Sequence, residues 1–227
     1  MEHVRYRFLY PGYDGFKSML KSNPVNTSKK LAICLDLDET LVRTFQDVRK
    51  PRKLTPDYES RFYESDRHGM WGVTRPHLRE FLRFCRKHFY PFIIWTAGTK
   101  EYAEFIVETI FTDGFMPDGI YHYDHCTVYD KTYIKDLSRI YQDWNISHSQ
   151  LLMIDNNPDV FTPLDKYNLV NIPDYLPNVY DDDDDDDVCL KELMIWLRAV
   201  NKKKYDIQKI SKRNIFERCN TEECFAY

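Results

Sequence analysis

At 227 residues the chain can bury one sizeable core and is too short for two comfortable domains with tails. Its 43% hydrophobic and 15% aromatic content excludes a mainly disordered chain, and 30% charged residues give a well-solvated exterior. The formal charge is −4, but seven acids form one run, Asp181 to Asp187, and the remainder is mildly basic, which is too ordinary a balance to argue for nucleic acid as a partner.

Residues 1–28 mix aromatics with Pro11 and Pro24 in no clean period and read as an N-terminal extension. Leu31 to Leu35 is a short continuous apolar run, the signature of a strand buried on both faces of a parallel sheet, and it ends in Asp36 and Asp38. Residues 43–74 turn polar and aromatic; Arg61–Glu64 facing Trp71–Thr74 across Asp66–Gly69 predicts a small β-hairpin insertion. Pro76 opens a helix striped by Leu78, Phe81, Leu82 and Cys85, and Phe92–Trp95 predicts a second buried strand ending in Thr96. A helix is expected over Lys100–Ile110 with Tyr102, Phe105, Ile106 and Thr109 on one side, then a strand over Tyr121–Val128 and a short helix from Leu137. Leu151–Ile154 is a third apolar strand, ending in Asp155. Strands alternating with helices imply an α/β fold with a Rossmann-like parallel sheet flanked by helices, whose ligand sites lie at the carboxyl ends of the strands. The acidic run predicts a solvated loop with a capping end before a terminal helix striped by Leu190, Leu193, Met194, Leu197 and Val200; residues 201–227 form a tail.

The six cysteines show no CxxC pair and no zinc-like His/Cys spacing, and Cys34 and Cys85 sit in apolar runs as small hydrophobes. Reduced thiols in an intracellular compartment, nuclear or cytoplasmic, are expected. The N-terminus has no signal-peptide core and no apolar stretch reaches the ~18 residues a membrane span needs, so neither secretion nor a membrane partner is expected.

The segment Asp36-Leu37-Asp38-Glu39-Thr40 follows the first strand directly, with Arg75-Pro76, Trp95-Thr96-Ala97-Gly98, Tyr133-Ile134-Lys135-Asp136-Leu137-Ser138-Arg139 and Ile154-Asp155-Asn156-Asn157-Pro158 after it in order. Over residues 29–200 this resembles the haloacid-dehalogenase superfamily, and within it the FCP/SCP-like small phosphatases that act on the C-terminal domain of RNA polymerase II. Phosphoryl transfer needs a carboxylate nucleophile, a cation, a hydroxyl or N–H cradle and a metal, and these segments supply one of each. The resemblance implies Asp36 as nucleophile and metal ligand, and Asp38 as acid and base with its backbone carbonyl on the metal. It implies Thr96 and Lys135 on the phosphate, Thr40 and Ala97 lining the substrate site, and Asp155 and Asn156 completing the metal set. An all-oxygen donor set suits Mg²⁺.

The segments between these motifs leave no room for a large cap domain, so an open site for a phosphate displayed on a protein chain is expected. Resemblance points to phosphoserine or phosphothreonine in a polymerase tail, handled by a monomer. Two other readings stay open: a catalytically idle peptide-binding module, and a phosphatase for nucleic-acid ends or small metabolites.

Overall fold

The computed structural model describes residues 30–46, 48–181, 185–203 and 206–216, so the expected N-terminal extension and the end of the tail lie outside the described residues. Five strands, β1 (Ala32–Leu35), β5 (Phe92–Trp95), β6 (Gly119–Tyr121), β9 (Leu151–Asp155) and β10 (Leu169–Asn171), form one parallel sheet in the order β10-β9-β1-β5-β6. β1 is central, with Ile33 opposite Phe92 on one side and Leu152 on the other. Both faces are covered. Ile33, Leu35, Phe92, Ile94, Leu152 and Ile154 enter one cluster, and their neighbours Ala32, Cys34, Ile93, Trp95, Leu151 and Met153 enter a second. That alternation is the two-residue period of a strand, and burial on both sides explains why the sequence shows unbroken apolar runs.

Helices α2 (Leu78–His88), α3 (Lys100–Ile110) and α5 (Cys189–Lys203) cover the first face; α4 (Ser138–Trp144) covers the second. The stripes expected on α2 and α5 are the buried ones. On α3 the buried stripe is instead Ala103, Ile106, Val107 and Ile110, one residue round from the expected side, because Tyr102 and Phe105 turn toward the strand ends and the insertion. The expected strand over Tyr121–Val128 is two pieces of different sheets: β6 stops at Tyr121, a single 3-10 turn spans Tyr123–His125, and β7 (Thr127–Tyr129) pairs with β8 (Thr132–Ile134) in a hairpin.

The insertion is a three-stranded antiparallel sheet, β2 (Val42–Gln46), β4 (Met70–Thr74) and β3 (Phe62–Ser65) in the order β2-β4-β3, with a short helix α1 (Pro56–Arg61). The expected hairpin is its β3–β4 half, with Tyr63 opposite Gly72; β2, which leaves the first motif, was not foreseen as its partner. A third small core of Tyr58, Trp71, Val73, Tyr175 and Val179 lies beneath it.

The acidic run is not merely a solvated loop. Asp187 accepts from Arg75 Nε at 3.0 Å and Nη2 at 2.8 Å, and caps α5 by accepting from the Cys189 amide at 3.0 Å. Asp185 accepts from Arg61 at 3.1 Å and the Tyr175 hydroxyl at 2.7 Å. Residues 182–184 lie outside the described ones. Cys34 and Cys85 are buried free thiols, as their apolar surroundings suggest, whereas Cys189 is disulfide-bonded, which departs from the expectation of reduced thiols throughout. Among the described residues no helix is long and apolar enough to cross a membrane.

Candidate active site

Four strand ends or strand exits converge at the carboxyl edge of the sheet. β1 delivers Asp36, whose amide donates to the Ile154 carbonyl at 3.0 Å; β5 delivers Thr96, whose amide donates to the Tyr121 carbonyl at 3.1 Å; β9 ends in Asp155; β8 runs into Lys135, whose amide donates to the Val160 carbonyl at 2.7 Å. After Asp36 the chain folds back at once. The Leu37 carbonyl accepts from the amides of Thr40, Leu41 and Val42 at 3.3, 2.8 and 3.1 Å, and Glu39 takes a left-handed φ of 59°. This tight turn sets Asp38 two residues along on the same rim.

Lys135 is the hub. Its Nζ donates to Asp36 Oδ1 at 2.5 Å and Asp155 Oδ2 at 2.7 Å, and all three side chains are almost fully buried. Burial works against the ammonium, but Asp155 and Asp36 outweigh it and hold Lys135 above the usual lysine range. Burial pushes Asp155 up to about 7 despite the opposing pull of Lys135. Asp38 is pushed up to about 6, first by burial and then by the charge of Asp36. Three carboxylates thus crowd one ammonium, and the pocket is short of positive charge.

The roles of the two acids are separated by their partners. Asp38 Oδ2 accepts from the Thr96 hydroxyl at 3.3 Å, and its Oδ1 accepts from the Tyr102 hydroxyl. Thr96 Oγ1 in turn accepts from the Gly98 amide at 3.0 Å. A Cβ on Gly98 would stand 2.6 Å from the Tyr102 ring, so only glycine lets α3 bring Tyr102 over Asp38. Tyr102 also shares a 2.7 Å bond with Thr44, and Thr44 another of 2.7 Å with Tyr63 on β3. A chain of hydroxyls therefore joins Asp38 to the insertion sheet.

Thr40 and Asn156 hold each other: the Thr40 hydroxyl donates to Asn156 Oδ1 at 3.1 Å, and the Asn156 amide donates to Thr40 Oγ1 at 3.2 Å. Asn156 Nδ2 donates to Asp174 at 3.0 Å and Glu39 at 3.5 Å, which fixes the amide with its oxygen turned to Thr40. Arg75, fully buried, donates to the carbonyls of Thr40 at 3.1 Å and Pro173 at 3.0 Å while Asp187 holds its other edge. Arg75, of the Arg75-Pro76 pair, is thus a brace from the α5 cap to the turn that carries Asp38.

The fit of a divalent cation can be judged from the donors. Among the described residues no three His, Cys, Asp or Glu side chains form a metal cluster, and the Asp38 carboxylate accepts from Thr96 and Tyr102. What remains is Asp36, Asp155, the Asn156 amide oxygen with its second lone pair, and the Asp38 carbonyl, which accepts no backbone hydrogen bond among the described residues. That is an all-oxygen set with few protein ligands in a pocket with excess negative charge, and Mg²⁺ fits it.

Asp36, Asp38, Thr40, Thr96, Lys135, Asp155 and Asn156 are therefore brought together. Ala97 is exposed at the rim. Sequence reasoning missed Tyr102, which it assigned to an apolar stripe, and the Asp174 and Asp187 supports. For Tyr102 a signal existed: it lies in the first turn of the helix that leaves the Thr96 loop. Asp174 and Asp187 stand in no motif, and their partners Asn156 and Arg75 lie 18 and 112 residues back.

The NLI interacting factor-like phosphatase family model matches residues 31–208. The "CTD nuclear envelope phosphatase 1 homolog" of Caenorhabditis elegans is 28% identical over 205 residues, covering 87% of this chain and 77% of its own length. The human "Carboxy-terminal domain RNA polymerase II polypeptide A small phosphatase 1" is 28% identical over 168 residues, 72% of this chain and 59% of its own. The "CTD nuclear envelope phosphatase 1B" of Danio rerio is 29% identical over 149 residues, 63% of this chain and 59% of its own, so the chain spans little more than half of the human and zebrafish relatives. In fold, the fission yeast RNA polymerase II CTD phosphatase Fcp1 bound to beryllium fluoride superposes with a TM-score of 0.53 at 20% identity, over 86% of this chain and 56% of that one. The family match begins just before β1, ends beyond α5 and takes in every side chain gathered around Lys135; the chain belongs to the NLI interacting factor-like phosphatases, the FCP/SCP-like members of the haloacid-dehalogenase fold.

Proposed function

We propose that the chain is a Mg²⁺-dependent protein serine/threonine phosphatase that works through an aspartyl-phosphate on Asp36. The observation that carries this reading is the Lys135 ammonium fixed between Asp36 and Asp155, with a second, separately held carboxylate, Asp38, on the same rim. Asp36 Oδ1 is taken by Lys135, while Oδ2 has no hydrogen-bond partner among the described residues and is the oxygen available to attack phosphorus. The P–O bond to the leaving group breaks as the Asp36 O–P bond forms, and Asp38 gives its proton to the departing oxygen. Burial and the nearby Asp36 charge keep that proton on Asp38 into the working pH range. Asp38, now a carboxylate, takes a proton from water as it attacks the acyl phosphate, releasing phosphate and restoring Asp36. Lys135 holds phosphate oxygens throughout, and the Thr96 hydroxyl turns from Asp38 to a phosphate oxygen when substrate binds. Asp36, Asp155, Asn156 and the Asp38 carbonyl would hold Mg²⁺, which supplies charge neutralisation for the phosphoryl oxygens.

A phosphoprotein substrate is supported by the architecture: the insertion is a small three-stranded sheet beside the site, and no large cap covers it among the described residues. The relatives' printed names support a polymerase C-terminal-domain-like tail, and a nuclear or cytoplasmic setting follows from the same reading. The test compares turnover of phosphoserine and phosphothreonine peptides with that of 3′- and 5′-phosphorylated oligonucleotides, with and without Mg²⁺. Mg²⁺-dependent preference for peptides is expected; preference for the oligonucleotides would assign the site to nucleic-acid ends. Binding of peptides with no turnover of any phosphate ester would leave a binding module.

A further inference from the structure

We infer that the β7–β8 hairpin is a docking strip for the polypeptide flanking the phosphorylated residue, selecting apolar or proline side chains there. This rests on the phosphoprotein reading above. Within six residues the hairpin exposes Val128 (64%), Tyr129 (74%) and Tyr133 (43%). Side chains of this kind cost hydration free energy on a surface with no task, and here they stand on a purpose-built platform. Asp130 and Lys131 take φ of 45° and 64°, the left-handed pair of a tight two-residue hairpin turn, which fixes the register Val128 opposite Tyr133.

The occupant follows from what the strip adjoins. Tyr133 lies two residues before Lys135, and its ring meets the Tyr123 ring edge-on at 6.1 Å. The Tyr123 amide donates to the Gly98 carbonyl at 3.0 Å, and the Gly98 amide donates to Thr96 Oγ1 at 3.0 Å. Val128, Tyr133 and Tyr123 thus line one side of the hairpin, and Tyr123 is tied through the Gly98 peptide to the Thr96 hydroxyl. Tyr133 stands two residues, about 7 Å of strand, from Lys135, and Val128 lies one strand spacing of about 5 Å across from it, a distance that extended peptide residues flanking the phosphate can reach. The turn charges, Asp130 and Lys131, cancel, so the strip offers ring faces and methyl groups rather than a field. Tyrosine faces suit proline and aliphatic side chains in an extended chain. The outer edge of β8 is covered by the Pro158–Val160 turn, whereas β7 makes no backbone hydrogen bond beyond its partner β8 among the described residues, so main-chain pairing is available to the peptide as well.

The experiment measures affinity and turnover for two phosphopeptides, one with proline and leucine beside the phosphoresidue and one with glycine and serine, in the wild type and in the double variant Val128→Ser, Tyr133→Ser, whose two side chains share one face of the hairpin. Turnover of p-nitrophenyl phosphate, whose single ring is too short to span the strip, reports whether the fold and chemistry survive; Val128→Ser alone, exposed and on the same face as Tyr133, serves if the double variant does not fold. A roughly tenfold advantage of the apolar peptide in kcat/KM is expected in the wild type, lost through KM in the variant with p-nitrophenyl phosphate turnover unchanged. Equal peptide affinities in wild type and variant would overturn the strip whatever the turnover. Variant-sensitive peptide binding with no turnover of any ester would keep the strip and remove the catalytic reading. Concentration-dependent dimerisation lost in the variant, with peptide affinity unchanged, would give the surface to a second copy and overturn the inference.

Discussion

Asp36 and Asp38 are two residues apart and chemically alike, yet their surroundings divide the work between them. Asp36 leans on the buried Lys135 ammonium, as suits the proposed nucleophile; Asp38 is pushed up to about 6 by burial and the charge of Asp36, against the two hydroxyls that donate to it, as suits the proposed acid. Asp38→Asn keeps the shape and removes the transferable proton, so turnover of p-nitrophenyl phosphate is expected to fall 10²- to 10⁴-fold with the melting temperature maintained. Tyr102→Phe removes one donor to that carboxylate, an interaction of about 1.5 kcal/mol, or roughly tenfold in rate. Because Tyr102 acts through Asp38, the loss should be larger for an alkyl phosphate, whose leaving oxygen needs the proton, than for p-nitrophenyl phosphate. Equal losses on both esters would show that Tyr102 only maintains the fold.

At the scale of elements, the acidic run is a chain of like residues with unlike duties. Asp187 faces a guanidinium with no exposure at all, while Asp186 is exposed. Removing one partner of a buried pair costs about 3–5 kcal/mol because the other charge is left without compensation. Asp187→Ala should therefore lower stability by about 3 kcal/mol, a fall of roughly 6–12 °C for a chain of this size, whereas Asp186→Ala should stay within about 0.5 kcal/mol. Thermal melts of the two variants side by side check this. Equal and small effects would mean that Arg75 is held by the carbonyls of Thr40 and Pro173 alone.

Across the whole molecule, what the sequence makes legible depends on how local the cause is. The strands of the central sheet carry unbroken apolar runs because both faces are buried, and β1, β5 and β9 are readable to within a residue. α2 and α5 show their stripes because each packs one face on that sheet. β10 was not readable: three residues, Leu169–Asn171, are too short for a period. The break after β6 was hidden because Tyr121 to Val128 stays rich in strand-forming residues while the chain changes sheets. Within the site, residues beside the motifs were found and those reaching in from elsewhere were not: Tyr102 meets Asp38 across 64 residues and Asp187 meets Arg75 across 112, while Asp174 meets Asn156 across 18 with no motif of its own.

One buried group also sets a global pH response. Burial, with the neighbouring His122 and Arg139, pushes His125 down to about 4, while an unfolded histidine titrates near 6.5. Between those values the unfolded chain binds the proton and the folded one does not, so this group leaves stability untouched above about pH 7 and erodes it as pH falls from 6.5 toward 4. His125→Gln, which keeps an acceptor for the His122 amide, should narrow the gap between melting temperatures at pH 7.5 and pH 5. An unchanged gap would place the acid sensitivity elsewhere.

In the proposed reaction phosphorus passes through a covalent bond to Asp36. Rapid quenching of the enzyme during turnover of p-nitrophenyl phosphate with Mg²⁺, followed by borohydride reduction and peptide mass spectrometry, tests it directly. An acyl phosphate on Asp36 is reduced to homoserine, and that conversion is expected at position 36 alone, absent without substrate. Brisk turnover with an intact Asp36, or with the phosphoryl group on another residue, would contradict it.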